Sequence, residues 1–398
     1  MTSGHNYDVA IAGAGPAGTS VAIRLARSGL AVLLLELKKF PRAKLCGEFI
    51  SPECINHFEQ LGVAPEIFAA NGATLTETSF YSRHGKKVTV PSHWFENNRM
   101  AIGLSRAEMD HLLLKAAKRV GVTVFEEAQV TDLILEAHHV CGVRVRQADG
   151  INDYRAHLTI DATGRARVLA RKLDKVPKLQ SRAKLVAFKA HLEDAQVGPG
   201  ACEIYFYPGG YGGLSNIEGG LSNLCFIAAA SDVRHCGSDP EQVLKSTVLR
   251  NSRAKFTLGQ AKFTTSWLSV ALESFGRHTL VPASGLLMIG DAAAFIDPFT
   301  GSGMLLALES GAVAAQTISD SRHYLNEAGL FAEIANRYQR NYADAFNSRL
   351  RVSGWLRRAA FIPRLAETAM ICFGASESFR RNVARATRKP WVRGVLTN

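Results

Sequence analysis

Long apolar runs are missing from this 398-residue chain. The longest candidate, Gly303 to Ile318, is interrupted by Glu309, Ser310 and Gln316, so it reads as a buried helix and not as a bilayer span. The first strand-like run begins at Tyr7, which leaves no room ahead of it for a secretory leader, and a cytoplasmic location is expected. Cysteine is sparse. Cys46, Cys54, Cys141, Cys202, Cys225, Cys236 and Cys372 are odd in number, scattered and free of CxxC spacing, which argues against a disulfide framework and a zinc site. The twelve histidines form no HExxH or comparable ligand cluster, and no metal is expected. No base-stacking or groove-reading motif is present either, so nucleic acid is not an expected partner. With 47% hydrophobic and 21% charged residues, what remains is a globular protein with a sizeable core and two or three structural units.

Positive charge is unevenly spread. Of a net +12, nine charges lie between Asn347 and Asn398, where eleven Lys and Arg face only Glu367 and Glu377. This reads as a solvated basic helical surface. An anionic membrane surface, an acidic carrier protein or an acidic substrate group are the alternatives it leaves open.

The strongest positive signal is a strand, a glycine turn, a helix, a strand and an acid, in the order that a dinucleotide-binding βαβ unit requires. Tyr7 to Ala12 is an apolar run of strand character. It enters Gly13-Ala14-Gly15-Pro16-Ala17-Gly18, a helical pattern follows to Gly29, and the run Ala31 to Leu35 ends in Glu36. The first glycine permits a tight turn, the second lets a diphosphate approach the backbone, and the third lets helix and strand pack closely. The N–H groups that open the helix face the anion. A carboxylate at Glu36 accepts ribose hydroxyls and repels a 2′-phosphate, so FAD or NAD fits and NADP does not.

The basic loop Leu37 to Glu48 follows a strand end and lies on the ligand side of the sheet. Arg42 and Lys44 are candidate phosphate contacts there, and Cys46-Gly47 can bring thiol and backbone close to a flat cofactor. Short helices are expected at 52–61 and 65–70, with a hairpin from Thr78 to Pro91 around His84-Gly85-Lys86. Ser105-Arg106-Ala107-Glu108 has the form of a capping box, which puts Arg106 in a first turn where a cation is disfavoured by roughly 0.3–1 kcal/mol. A nearby anion would remove that penalty, and the cofactor is the candidate. Strands at 122–126, 129–135, 140–146 and 154–160 lead into Asp161-Ala162-Thr163-Gly164, where the chain returns to the cofactor with Asp161 and Gly164 as candidate contacts. Strands at 184–192, 202–207, 211–217 and 221–229 then form an antiparallel sheet that does not fit a nucleotide-binding layer, and it is assigned to the substrate. Tyr205-Phe206-Tyr207 and Tyr211 are placed to present rings to an apolar substrate. A helix is expected over 239–250 and one strand over 263–270.

Far downstream, the apolar strand Gly285 to Ile289 enters Gly290-Asp291, then Asp297-Pro298-Phe299-Thr300-Gly301-Ser302-Gly303 and a helix from Met304 to Ile318. Asp291 can hold a ribityl or ribose hydroxyl, and the helix start at Gly301 to Met304 can aim N–H groups at an electron-rich ring edge. A nicotinamide enzyme has no need of this second element, which points to FAD. From His323 the pattern is mostly helical, with a break at Pro363. The expected fold is α/β. It comprises a discontinuous Rossmann-type, glutathione reductase-like FAD-binding domain (1–75, 100–180 and 275–320), an antiparallel β-sheet substrate domain (76–99 and 181–274) and a helical C-terminal region (321–398).

Taken together, Gly13-x-Gly15-x-x-Gly18, the Arg106 helix, Asp161-Ala-Thr-Gly164 and Gly290-Asp291…Pro298-x-x-Gly301-x-Gly303 resemble the p-hydroxybenzoate hydroxylase-like FAD superfamily over roughly residues 5 to 320. Lys44-x-Cys46-Gly47-Glu48 and Gly210-Tyr211-Gly212 resemble its geranylgeranyl reductase branch. The resemblance implies FAD contacts at Gly13 to Gly18, Glu36, Arg42, Cys46, Gly47, Arg106, Asp291 and Gly301 to Met304, with Val130 touching adenine through its backbone. Two motifs depart from the pattern. The branch's Tyr-x-Trp-x-Phe-Pro signature is not intact, since Tyr211 is followed by Gly-Gly-Leu-Ser, and the Trp-x-Trp-x-Ile-Pro motif of tryptophan halogenases is absent.

The activity implied is FAD-dependent oxidation–reduction of an apolar small molecule, free or carrier-tethered. NAD(P)H or another donor would reduce the flavin, and hydride would then pass to a carbon–carbon double bond. Reaction of reduced flavin with oxygen to a hydroperoxide, as in a monooxygenase or halogenase, is the first alternative. A non-turnover flavoprotein serving as redox sensor or partner-binding protein is the second. Cys46 near the ring and Tyr211 in the substrate sheet are the candidate catalytic groups.

Overall fold

The second half of the strand His5–Ala12 has no polar face: Val9, Ala10 and Ile11 are all fully buried, as a strand covered on both sides must be. The computed structural model describes residues 5–96, 98–173, 183–272, 275–325, 331–360 and 373–388. In it, His5–Ala12 lies between two parallel neighbours, Val32–Leu35 and Gly150–Asp161, in a seven-stranded sheet. The long strand Gly150–Asp161 has a divided edge. Its first half pairs antiparallel with His139–Gln147, and its last residues pair parallel with Leu286–Met288. That short return strand sets Gly290-Asp291 beside the carboxyl ends of the central strands, where open α/β sheets bind their ligands.

Two helices close one face of this sheet. Pro16–Arg27 crosses Gly303–Asp320 at short range: a Cβ on Gly311 would sit 2.7 Å from the Ala17 carbonyl oxygen, and Ser20 Oγ donates to the Leu308 carbonyl at 2.9 Å. Behind them runs the long helix Phe331–Ala360, fixed by Tyr338 Oη donating to the Met288 carbonyl at 2.6 Å and by the buried Arg349–Glu309 ion pair. A further helix, Glu377–Ala386, follows, while the expected break at Pro363 lies outside the described residues. Among the described residues no helix is long and apolar enough to cross a membrane.

The second sheet has eight strands and stands over the carboxyl end of the first. Its order is Lys262–Phe263, Leu185–Glu193, Ser222–Ala229, Gly210–Asn216, Ala201–Tyr207, Glu77–Tyr81 and Lys87–Pro91, with Leu268–Leu272 also on Leu185–Glu193. It is not purely antiparallel, as the sequence suggested. Ala201–Tyr207 and Glu77–Tyr81 run parallel, because the hairpin arrives as a unit from the other side of the chain. The single strand expected over 263–270 is two short ones, paired at opposite ends of Leu185–Glu193. Between them Thr265 Oγ1 accepts from the His191 N–H at 2.9 Å and breaks the ladder. The helix expected over 239–250 is Pro240–Ser246, followed by a turn of 3-10 helix.

Candidate active site

One cavity of about 740 Å3 runs from the glycine turn to the second sheet, a size within the roughly 300–1,000 Å3 of small-molecule sites. Gly13, Gly15, Pro16 and Ala17 line its first end. Gly13 takes φ +102°, and a Cβ on Gly18 would lie 1.9 Å from the Gly13 carbonyl oxygen, so these two glycines serve the turn and its packing. At Gly15 the nearest atom to an added Cβ is Arg106 Nη2 at 3.9 Å, and the backbone there faces open cavity. The helix behind has no side-chain cap and no acid in its first turn, which leaves its N–H groups for an anion. Glu36, buried at the strand end, accepts from the Ala14 N–H at 3.0 Å and the Lys38 N–H at 3.1 Å.

Arg42 reaches across to Glu36 and Asp110, and Arg106 holds Asp110 with two bonds of 2.9 and 2.7 Å. Within the protein, the anion that offsets Arg106 in its first turn is Asp110, one helical turn on, and Arg106 also lines the cavity. Burial alone would lower the pKa of Arg106; the Asp110 carboxylate and the Cys46 sulfur reverse the sign and raise it. The capping box is half formed. Ser105 Oγ accepts from the Glu108 N–H, but the Ser105 N–H donates to Glu218 of the second sheet's edge turn, at 2.8 Å. Lys44 lies along the cavity wall, where burial first and then Arg42 and Arg106 lower its pKa.

The middle of the cavity is formed by the second element. Gly290, Asp291, Pro298, Gly301, Gly303 and Met304 line it, together with Cys46, Gly47, Gly164 and Arg165. The helix Gly303–Asp320 also begins with no side-chain cap and no acid in its first turn. Two bare helix N-termini thus converge on one cavity. Asp291 takes no hydrogen bond from any described residue; burial pushes its pKa up against the pull of Arg165, Arg106 and Lys44. These features fit FAD: one helix start for a diphosphate, a carboxylate free to accept a hydroxyl, and a second helix start for the electron-rich edge of a ring.

Apolar side chains close the far end. Phe80, Phe206, Phe299, Ile204 and Ile227 line it, and the rings of Phe80, Phe206 and Phe299 lie 5.5 to 6.4 Å apart. Strand alternation separates the aromatic run. Phe206 faces the cavity, whereas Tyr205 and Tyr207 point into the core behind the sheet and bond Glu203 and the Ile227 carbonyl. Tyr211 lines the cavity wall, but its hydroxyl donates to buried Asp297, which also accepts from the Phe299 N–H at 3.1 Å and pairs with Arg357. Burial first, then Asp297, raises the Tyr211 pKa well above the ordinary phenol value.

Of the residues singled out in the sequence, Val130 and Arg42 also reach the cavity, whereas Ala14, Gly18, Asp161 and Ser302 do not. Asp161 is fully buried with both oxygens engaged, by Thr163 on one side and by the Leu169 and Ala170 N–H groups at 3.0 and 3.2 Å on the other. It builds the turn that brings Thr163 and Gly164 to the cavity wall. What sequence reasoning missed is a set of long-range partners: Glu48 with Lys189 and His191, and Asp297 with Tyr211 and Arg357. Lys189, inside the apolar run Val186-Ala187-Phe188-Lys189-Ala190, was the one visible signal. Among the described residues no group of three or more His, Cys, Asp or Glu is placed to hold a metal ion.

Known proteins are similar to this chain. The family described as "FAD binding domain" matches residues 6–319. Digeranylgeranylglycerophospholipid reductase 2 of Methanopyrus kandleri is 26% identical over 352 residues, covering 85% of this chain and 83% of that protein. Menaquinone reductase of Mycobacterium tuberculosis is 29% identical over 372 residues, covering 87% and 84%. The structure of the flavin-dependent brominase Bmp2 superposes with a TM-score of 0.77 over 96% of this chain and 93% of that one, at 21% identity, which speaks to the fold alone.

Proposed function

The chain belongs to the FAD binding domain family and is an FAD-dependent oxidoreductase, and from that premise we propose that it reduces a carbon–carbon double bond in an apolar substrate. The observation that carries this reading is the continuity of one cavity, polar and helix-tipped at one end and walled by Phe80, Phe206 and Phe299 at the other. Bound FAD would supply hydride chemistry. The residues then divide the work. Gly13 to Ala17 and Glu36 would hold diphosphate and ribose, and Asp291 a hydroxyl of the linker. The aromatic wall excludes water and orients an apolar chain by its faces. Two relatives bear the names of reductases, of a geranylgeranyl-bearing phospholipid and of menaquinone, which supports an apolar acceptor. NAD(P)H or another donor would reduce the flavin. Such a substrate must be delivered, and the described part of the basic C-terminal region offers a surface. Trp355 is 72% and Phe379 48% exposed, near exposed Arg351, Arg358 and Arg385, on helices that send Leu356 and Val383 to the cavity wall. We read this as a contact to an anionic membrane surface, with an acidic carrier protein as its competitor.

The test is anaerobic. Protein loaded with FAD and reduced with dithionite is mixed with a geranylgeranyl lipid or with menaquinone, and the flavin absorbance and product mass are followed. Re-oxidation of the flavin with gain of two hydrogens by the substrate is the expected result. Turnover that requires oxygen and places an oxygen or halogen atom in the product would replace this reading with the monooxygenase or halogenase alternative.

A further inference from the structure

A buried carboxylate on a strained backbone joins the two sheets at the loop that carries Cys46. Glu48 has φ +53°, a left-handed conformation that few side chains adopt, and it is fully buried. One of its oxygens accepts from Lys189 Nζ and, at 2.8 Å, from the Arg106 backbone N–H. The other lies 2.7 Å from His191 Nε2. Lys189, only 2% exposed, also donates to the Lys44 carbonyl at 3.2 Å, and Asn223 Nδ2 donates to the Cys46 carbonyl at 3.1 Å.

These donors come from one place. Lys189 and His191 are two apart on Leu185–Glu193 and share the face that Ala187 turns to the cavity, and Asn223 is the cross-strand partner of His191. One face of the substrate sheet is therefore divided, apolar where it meets the aromatic wall and charged where it meets the Lys44–Glu48 loop. A lysine and a carboxylate are costly to bury, and packing alone would be served as well by apolar side chains. What the ion pair adds is one fixed geometry. The same carboxylate takes the first N–H of the helix Arg106–Arg119, whose Arg106 side chain reaches the Cys46 sulfur. The Glu48 N–H also faces that sulfur, at 3.4 Å. Cys46 is bracketed from both sheets.

We propose that Lys189 and His191 are positioning residues, which act through Glu48 to hold Cys46-Gly47 in the middle of the cavity and so tie the substrate sheet to the redox centre. The proposal deepens the FAD reading, but the clamp on Cys46 is a property of the protein alone and is tested without cofactor. The variants are Lys189→Met, Lys189→Arg and His191→Gln. In FAD-free protein, the rate at which iodoacetamide alkylates Cys46, read peptide by peptide by mass spectrometry, should rise about tenfold or more in Lys189→Met. It should rise less in His191→Gln and fall back towards wild type in Lys189→Arg. Fully buried Cys54, which does not line the cavity, reports that the fold is kept by remaining unreactive. In loaded enzyme the same variants should shift the visible flavin spectrum and lower kcat with KM little changed. Unchanged Cys46 alkylation in folded Lys189→Met and His191→Gln overturns the proposal. If Lys189→Met does not fold, His191→Gln, which leaves the ion pair in place, decides alone. Faster alkylation in a protein that takes up no FAD would sink the cofactor reading and leave the clamp standing.

Discussion

A methyl group added at either of two neighbouring glycines should separate folding from cofactor binding. Gly15 has φ −75°, open to any residue, and its added Cβ would meet nothing closer than Arg106 Nη2 at 3.9 Å. Gly15→Ala should therefore leave the thermal midpoint of the FAD-free protein unchanged. The methyl would stand where the diphosphate must approach the backbone, removing at least one charge-assisted hydrogen bond of about 1.5–3 kcal/mol, which weakens FAD binding roughly 10- to 100-fold. Gly18→Ala is the counter-case. Its Cβ would lie 1.9 Å from the Gly13 carbonyl oxygen, so strand and helix must separate before ordinary contact is reached. That overpacking costs about 1–3 kcal/mol with or without FAD. The assay is thermal unfolding of the FAD-free proteins beside titration with FAD, followed by flavin fluorescence. If Gly15→Ala binds FAD as tightly as wild type, the diphosphate does not lie on this turn, and the assignment of the cavity's first end is wrong.

Other perturbations test other parts of the site. Asp291→Asn removes a half-buried acid whose pKa is raised by desolvation, so the FAD-free protein should become more stable at neutral pH while FAD affinity falls about tenfold, as measured by the same two assays. Arg349→Met leaves Glu309 buried without its partner and should cost about 3–5 kcal/mol in denaturant titration. Burial already raises the Glu309 pKa, so its contribution is fullest at low pH and is lost as pH rises through the folded value; the deficit of the variant should narrow on acidification. Tyr211→Phe removes one hydrogen bond from Asp297, which keeps the Phe299 N–H and Arg357, so stability should drop by about 1–3 kcal/mol while the rate of flavin reduction is unchanged. A large loss in that rate would support Tyr211 as a catalytic group. Trp355→Ala combined with Arg358→Glu should reduce co-sedimentation with anionic vesicles several-fold and leave turnover of detergent-dispersed substrate intact. Equal binding to neutral vesicles would argue against a charged surface as the partner.

Much of the fold was legible because it is local. Period-two and helical patterns with glycine punctuation marked the βαβ unit, the hairpin and the return strand at Gly285 to Ile289, each within a residue or two. Register was not legible, and register decides function here. Only the pairing of Phe206 with Tyr211 and its neighbours shows that one ring of Tyr205-Phe206-Tyr207 reaches the cavity. Partners distant in the chain were equally hidden: nothing near Glu48 announces a histidine 143 positions on. One miss was avoidable. Asp110 stands four residues after Arg106, on the same helical face, and an i,i+4 pair is the first place to look for the partner of a first-turn arginine.

That pair changes how recognition works in this site. Arg42 and Arg106 both lean on Asp110, and Arg42 leans on Glu36 as well, so neither guanidinium waits as an uncommitted cation for a diphosphate. Glu36 in turn spends its oxygens on the Ala14 and Lys38 N–H groups and on Arg42. Arg42, Arg106, Glu36 and Asp110 are balanced among themselves before any ligand arrives, and of the cations at this end Lys44 is left over. Beside Lys44 stands backbone: the starts of Pro16–Arg27 and Gly303–Asp320, which among the described residues carry no side-chain cap hydrogen bond. An anion is therefore best held where the chain itself comes close. It follows that a single methyl on Gly15 should disturb the cofactor more than the loss of either arginine's charge.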